Sequence, residues 1–412
     1  MPKNWKIYKL EEVAQLRKEG IKPSDFNGED YIGLEHIGQG DFLLDGIGKA
    51  SDVKSNKSKF VEGDILYGKI RPYFKKVYRP KFSGICSTDI LIINTKNENL
   101  VSQSYLHHLI KTQEFTDKAT ETSSGTKMPR ADWKSLEKWG ISFPPLPEQT
   151  QIANILSAID DKIENNLAIN KTLEDMAMAL YKNWFVDFGP FQDGEFIDSE
   201  LGLIPKGWEV KIIGNVIDTL GGGTPKTTEN SYWENGDILW YSPTDLTRDN
   251  AMFSLDSSKR INNLGLLKSS AKLFPPYSLL MSSRATIGAL TINTIKASTN
   301  QGFITMIPND NMSVYQLYSW TKWNMDLIIS KSNGSTFKEI SKANFRSLEI
   351  VVGQNIELFL RESKNIFDKV ENNIQENQSL TKLRDTLLPK LISGEVRLKE
   401  FREGIDAEMN SA

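Results

Sequence analysis

Segments from the first half of this chain return, in order, in the second half. Pro2-Lys3-Asn4-Trp5-Lys6-Ile7 reappears as Pro205-Lys206-Gly207-Trp208-Glu209-Val210. Phe60 to Tyr67 resembles Phe274 to Met281, and Ser87-Thr88-Asp89 matches Ser298-Thr299-Asn300. Ser124-Gly125-Thr126 matches Asn333-Gly334-Ser335. Asp161-Lys162-Ile163-Glu164-Asn165-Asn166 returns as Asp368-Lys369-Val370-Glu371-Asn372-Asn373. The offset stays between about 203 and 214 residues across these matches. Chance would not preserve both order and spacing. A period this long is no solenoid repeat, so each copy is a domain.

Within each copy the texture changes once. The first part is rich in short apolar runs broken by Gly, Asn, Asp and Pro, such as Asp89-Ile90-Leu91-Ile92-Ile93 and Gly302-Phe303-Ile304-Thr305-Met306-Ile307. These read as short strands. The last part of each copy has helical periodicity and almost no Gly or Pro. The first such helix follows Pro144-Pro145-Leu146-Pro147, carries Glu148 in its first turn, and stops at Asp187-Phe188-Gly189-Pro190, with Gly as the expected left-handed cap. Its apolar stripe is Ile152, Leu156, Ile159, Ile163, Leu173, Ala177, Leu180 and Trp184. The second helix is expected from about Ile356 to Ile392, with Phe359, Ile366, Val370, Leu380, Leu387 and Leu391 as its stripe. Asn166 and Asn170 interrupt the first stripe, and Asn373 and Asn377 interrupt the second at the matching place. A seam asparagine costs stability but fixes register, because a slipped pairing leaves its amide unpaired. Length and matched gap favour the two helices packing on each other over two amphipathic helices on separate cores.

Composition limits what such a duplicated chain can do. Lys plus Arg is 50 against 53 Asp plus Glu, for a net charge of −3, so a uniformly basic coat is excluded while a local basic face is not. Hydrophobic residues at 39% and charged residues at 25% exclude wholesale disorder. One cysteine, Cys86, rules out an internal disulfide or a Cys-based zinc site. His36, His107 and His108 are too few and too badly spaced for a metal site. The N-terminus lacks an apolar signal segment, and no run approaches the ~18 apolar residues of a membrane span. The expectation is a soluble cytoplasmic protein.

Catalytic signals are weak. There is no dinucleotide-binding glycine motif and no phosphate-binding Walker loop. Gly221-Gly222-Gly223-Thr224-Pro225-Lys226 is either a turn at the domain's edge or a loop that touches nucleic-acid phosphate. Phe274-Pro275-Pro276-Tyr277 resembles the amine-binding motif of adenine methyltransferases. Phe cannot accept an amine hydrogen bond, however, and the repeat aligns this segment with the turn Phe60-Val61-Glu62-Gly63. Cys86 with His107 and His108 could form a thiol–imidazole pair, but the second copy has Ala297 near the Cys86 equivalent and no histidine. A core cysteine and two helix-surface histidines are the expected reading.

Nucleic-acid signals are stronger because they recur. Lys69, Arg71, Lys75 and Lys76 gather at a strand–loop junction of the first copy, and Arg284 and Thr286 at that of the second. Ser124, Thr126, Lys127 and Arg130 are echoed by Asn333, Ser335, Thr336 and Lys338. Asn300-Gln301 offers two adjacent amides. Arg, Asn and Gln read base edges in pairs of bonds, while Lys, Ser and Thr hold phosphates. The candidate DNA contacts are therefore Lys69, Arg71, Lys75, Thr126, Lys127, Arg130, Thr224, Lys226, Arg284, Thr286, Asn300, Gln301, Ser335, Thr336 and Lys338.

Several of these segments, taken together, resemble a known family. Pro144-Pro145-Leu146-Pro147-Glu148-Gln149, then Ile152-Ala153 and Ile159-Asp160-Asp161-Lys162-Ile163, is similar to the start of the central conserved helix of HsdS proteins, the specificity subunits of Type I restriction–modification systems. Leu180 to Phe188 looks like that helix's end, and Leu201 to Trp208 like the entry to a second target-recognition domain. Gly222-Gly223-Thr224-Pro225, Tyr232-Trp233, Gly236 to Trp240, and Leu387 to Gly394 also fit. Val351 to Ile356 departs from the pattern, lacking the Pro-Glu-Gln entry. The resemblance implies an α+β architecture of two mixed α/β target-recognition domains in tandem, each followed by a long helix, the two helices pairing as an antiparallel coiled coil. The expected limits are 1–147 for the first domain, 148–190 for the central helix, 191–352 for the second domain, 353–394 for the C-terminal helix and 395–412 for a tail. It also implies a non-catalytic subunit that reads an asymmetric bipartite site in double-stranded DNA. Adenine methyltransferase subunits and a restriction/translocase subunit are the implied partners. S-adenosylmethionine, ATP and Mg would be theirs, with no cofactor in this chain. A coiled-coil scaffold with two globular heads and no DNA role is the competing reading.

Overall fold

The short apolar runs are strands, and they pair in the same order in both copies. The computed structural model describes residues 4–284, 286–334 and 338–397. The chain divides into two units, Met1–Glu164 with Gln378–Ala412, and Asn165–Asn377. Both divisions fall inside long helices, so each unit holds one domain and part of each helix.

In the first unit, Ala14–Leu16, Ile90–Thr95, Ile65–Gly68 and Val77–Tyr78 form an antiparallel sheet in that order. A second sheet contains Asp30–Ile32 and Gly84–Cys86 as a parallel pair. Lys6–Lys9 pairs with Gly140–Phe143 where the chain enters and leaves the domain. Successive strand residues face opposite ways. Ile65 and Tyr67 therefore pack with Tyr105, Leu109 and Phe115 of the helices. Leu66, between them, packs with Ile32, Phe60 and Cys86 of the other sheet. The middle sheet is buried on both faces, which is why its strands read as unbroken apolar runs.

The second unit repeats this plan. Asp218–Leu220, Phe303–Ile307, Leu279–Ser282 and Leu290–Asn293 take the corresponding sheet order, with Phe253–Ser254 added at the edge. Ile238–Tyr241 and Ala297–Thr299 form the parallel pair, and Glu209–Ile212 pairs with Glu349–Val352. Leu279 and Met281 face the helices, and Leu280 faces the other sheet. Helix starts repeat as well. Ser102 accepts a hydrogen bond from Tyr105 N–H, and Ser313 accepts one from Gln316 N–H, both at 3.2 Å. Such caps satisfy the orphan donors of a first turn.

Register corrects one repeat match. Ser87 N–H donates to Ile32 O and Asn300 N–H to Tyr241 O. Ser87 therefore corresponds to Asn300, two residues beyond the match read from sequence, and Cys86 corresponds to Thr299 rather than Ala297. A Ser-Thr dipeptide follows the first strand and ends the second, and a two-residue slip preserves the facing of every side chain. Sequence similarity alone could not detect it.

The long helices run Leu146–Phe185 and Glu357–Ser393. The first begins two residues before Glu148, because Pro147 fits a first turn without a missing hydrogen bond. Gln149, fully buried, accepts from Ser102 N–H and donates to Leu100 O and Pro144 O, tying the helix start to its domain. The left-handed cap at the other end is Phe188 (φ 50°), not the expected Gly189. Phe188 is buried edge-on against Trp208, with ring centroids 5.6 Å apart, and that packing offsets the backbone strain. A Cβ on Gly189 would lie 2.3 Å from Asn183 Oδ1, so the Asn183 amide packs into the space a side chain there would fill.

Within each unit the helix segments run antiparallel. In the first, Ile152, Leu156, Ile159 and Ile163 share a core with Leu387 and Leu391, and Arg384 Nη1 lies 3.5 Å from Asp160. In the second, Leu173, Ala177, Leu180 and Trp184 share a core with Phe359, Ile366 and Val370. Phe185 meets Phe359 edge-on at 4.9 Å. The four asparagines face one another there. Asn166 Nδ2 donates to Asn377 Oδ1 and Glu376 Oε2, and Asn373 Nδ2 donates to Asn170 Oδ1, each at 2.8 Å.

Candidate nucleic-acid interface

In each unit, a loop leaving the middle sheet is hydrogen-bonded to a glycine-tipped hairpin. In the first unit Arg71 N–H donates to Pro129 O at 2.7 Å, and Ala131 N–H to Lys69 O at 2.9 Å. Ser124 and Arg130 exchange backbone bonds across the hairpin. Gly125, at φ 96°, makes its turn, a conformation that costs glycine little. Lys69, Arg71, Thr126, Lys127 and Arg130 are thereby brought to one surface. Lys75 closes the short turn Pro72–Phe74, which Arg71 (φ 51°) and Lys75 (φ 49°) flank in left-handed backbone conformation. Tyr73, half exposed, adds an aromatic ring that sequence reading did not single out.

The second unit builds the same junction from other side chains. Ile340 N–H donates to Ser283 O, and Asn333 and Glu339 exchange backbone bonds around Gly334 (φ 95°). Arg284 bridges Glu339 at the backbone. A Cβ on Gly302 would lie 3.1 Å from Arg284 Nε and 3.0 Å from Asn300 Oδ1, so both side chains converge over that glycine. Asn300 Oδ1 accepts from Gly302 N–H, and Thr224 Oγ1 donates to Gln301 Oε1, both at 2.8 Å. Thr286, Lys226 and Lys338 are exposed nearby in sequence. Ser335 and Thr336 lie outside the described residues.

Two glycines of the Gly-rich loop are packed against the fold, while Gly221 stays exposed. Gly223 N–H donates to Thr299 O at 2.8 Å, and a Cβ on Gly222 would lie 2.0 Å from Asn300 O. These glycines permit close packing. Trp240 Nε1 donates to Gly223 O and Trp233 Nε1 to Lys226 O, pinning the loop that carries Thr224. Lys76 also leaves the cation set. Its Nζ donates to Leu34 O and Ile37 O, and burial pushes its pKa down.

The imagined thiol–imidazole pair has no basis. Cys86 is buried in the first unit's inter-sheet core, where desolvation raises its thiol to about 12. His108 does not lie on a helix surface, contrary to the expectation from sequence, and His107 is half-buried. His108 is buried with Nε2 2.9 Å from Ser157 Oγ, and burial drives both rings' pKa values well below the ordinary value. Helical spacing alone could not tell that their face meets the long helix. Phe274-Pro275-Pro276-Tyr277 is a turn. Tyr277 (φ 59°) donates its N–H to Asn293 O as Gly63 (φ 84°) does to Pro80 O. Among the described residues, no group of three His, Cys, Asp or Glu side chains is placed to hold a metal ion, and no helix is long and apolar enough to cross a membrane.

Sequence reading missed Asp89, which stands between Lys69 and Arg130 at 3.4 and 3.7 Å. The slipped repeat match hid that its counterpart is Gly302. Ser283 N–H donates to Gly302 O just as Lys69 N–H donates to Asp89 O.

Comparison with known proteins accounts for the duplication. The family model described as Type I restriction modification DNA specificity domain matches residues 2–175 and again residues 205–382. The Type I restriction enzyme HindI specificity subunit of Haemophilus influenzae is 27% identical, over 95% of this chain and 100% of that protein. The MjaIX specificity subunit of Methanocaldococcus jannaschii is 28% identical, over 97% of this chain and 95% of its own. A crystal structure of a Type-I restriction-modification system S subunit from M. genitalium has the same fold, with a TM-score of 0.57 at 16% identity, covering 94% of this chain and 96% of that one. With both copies matched along most of their length, the chain belongs to the Type I restriction–modification DNA specificity family, also known as HsdS.

Proposed function

We propose that this chain is the DNA-recognition subunit of a Type I restriction–modification complex and carries no catalytic step itself. The domains within residues 1–147 and 191–352 each read one half of an asymmetric bipartite site. Lys69, Arg71, Lys75, Thr126 and Lys127 in the first, and Thr224, Lys226, Thr286 and Lys338 in the second, hold the sugar–phosphate backbone. Arg130, Arg284, Asn300 and Gln301 face base edges. Helices within 148–190 and 353–394 set the unread spacer and dock adenine methyltransferase subunits, and a restriction/translocase subunit completes the assembly in the cytoplasm. S-adenosylmethionine, ATP and Mg serve those partners.

One observation carries this reading. The same loop–hairpin junction recurs in both units with different side chains: cations and a carboxylate in one, an arginine and amides in the other. Two related surfaces with different donor patterns suit two different half-sites. The family match supports DNA specificity and lends nothing to a scaffold without a DNA role. The test is a modified-base map of the source genome with and without this gene. The expected result is loss of adenine N6-methylation at one bipartite motif. An unchanged methylation pattern, with the methyltransferase demonstrably expressed, overturns the proposal. Arg284→Ala should relax one half-site only, by ~1–3 kcal/mol if a paired contact to guanine is lost.

A further inference from the structure

We propose that Asp89 is a positioning residue that holds Arg130 by its Nε, so that the two Nη groups of Arg130 present themselves to a guanine in the half-site of the first unit. The inference rests on the DNA-recognition reading above and names a base and the pair of residues that selects it.

The geometry begins with three backbone segments joined side by side. Lys69 N–H donates to Asp89 O at 3.0 Å, and Ala131 N–H donates to Lys69 O at 2.9 Å. Arg130 is fixed in turn by its exchange with Ser124. Asp89 N–H donates to Ser87 Oγ at 3.2 Å, which orients the turn that carries it. On this frame one carboxylate oxygen, Asp89 Oδ1, faces Lys69 Nζ at 3.4 Å and Arg130 Nε at 3.7 Å. Lys69 Nζ also donates to Thr88 O at 2.7 Å. Side-chain exposure rises outward, from 25% for Lys69 to 34% for Asp89 and 51% for Arg130. The lysine is tied down beneath the carboxylate, and the arginine stands over it.

A carboxylate on a face that approaches phosphate weakens binding, so its presence calls for a reason. The fold supplies none. The second unit builds the same junction with Gly302 in that place and forms the same backbone bonds. Positioning does supply one. A free arginine gives up rotamer entropy when it docks, and a carboxylate at Nε removes part of that freedom beforehand. The edge left over is the pair of Nη groups, which make no hydrogen bond among the described residues. Two parallel donors match guanine O6 and N7, the pairing arginine makes most often in the major groove. Lys69, beside the backbone of the duplex, also neutralises part of the carboxylate's charge.

The experiment is selection and sequencing of duplexes randomised at both half-sites, using the full chain bound to its methyltransferase partner. Wild type is compared with Asp89→Asn, Asp89→Ala and Arg130→Lys, with thermal melts as a folding control. We expect wild type to require guanine at one position. Arg130→Lys and both Asp89 variants should relax that same position, by roughly 5- to 150-fold for loss of one paired arginine contact. Asp89→Asn should also raise affinity for non-specific duplex, since it removes a negative charge. Asp89 variants that leave the preference intact overturn the proposal. So does relaxation at a cytosine that Arg130→Lys does not affect, which would mean Asp89 reads the base itself. Because Arg130 is exposed, its lysine variant keeps the test decisive even if an Asp89 variant fails to fold. Wild type with sequence preference and an unaffected Arg130→Lys defeats this inference alone, whereas wild type with no preference defeats the recognition reading beneath it.

Discussion

His108 is buried and His107 half-buried among cations, with Lys111, Arg79 and Arg384 disfavouring the protonated rings. Asp160, 3.9 Å from His108 Nδ1, already pairs with Lys111 and Arg384. Burial is the largest cause of the depressed pKa values. The sign follows from linkage. In the unfolded chain each ring takes a proton near the ordinary value of 6.5, while in the folded chain each stays neutral to far lower pH. The full stability is present above that value and is lost as pH falls below it, by up to about 1.4 kcal/mol per pH unit for each histidine. Thermal melts between about pH 5 and 8 should show the melting temperature falling on the acid side, and His107→Gln should flatten the slope. A melting temperature that holds or rises on acidification would refute this. At the same scale, Arg130 and Lys69 were legible as cations at loop junctions, but not as recurring ones, because their counterparts in the second unit are Glu339 and Ser283. Asp89 was not, because its meaning lies in two neighbours distant in sequence and in a two-residue register slip.

The paired helices were legible from stripe, length and punctuation, since a 3.6-residue period is a property of the chain alone. The asparagine gap was visible too, but its bonding was not. Asn166 and Asn373 are each 1% exposed, and each donates into a partner on the facing helix segment. Hydrogen bonds of this kind contribute about 1 kcal/mol each, yet an orphaned buried amide costs more, so any slipped register is penalised. Replacing Asn166, Asn170, Asn373 and Asn377 together with Leu should retain helical circular dichroism and a cooperative melt. The same variant should select sites with several spacer lengths in place of one. A single unchanged spacer would argue against a register role.

For the molecule as a whole, a net charge of −3 is a poor field for holding duplex DNA. The cations of the two junctions act locally, and Lys69 and Arg130 are partly neutralised by Asp89. Binding by the isolated chain should therefore be weak and fall steeply with salt, and a methyltransferase partner should tighten it by adding phosphate contacts. A salt titration with and without the partner checks this, and equal affinity throughout would contradict it.

The amino-acid order by itself determined the duplication, the strand texture, the two helices with their seams, and the loops on which recognition would lie. All of these follow from local periodicity or from similarity between copies. Tertiary structure alone decided which loop ends meet. It also showed that Gly222 and Gly223 pack closely against the fold, that Phe188 rather than Gly189 takes the left-handed cap, and that His108 is interior. Each of these depends on groups brought together from distant parts of the chain, and one residue's surroundings after folding are not a property of its neighbours in sequence.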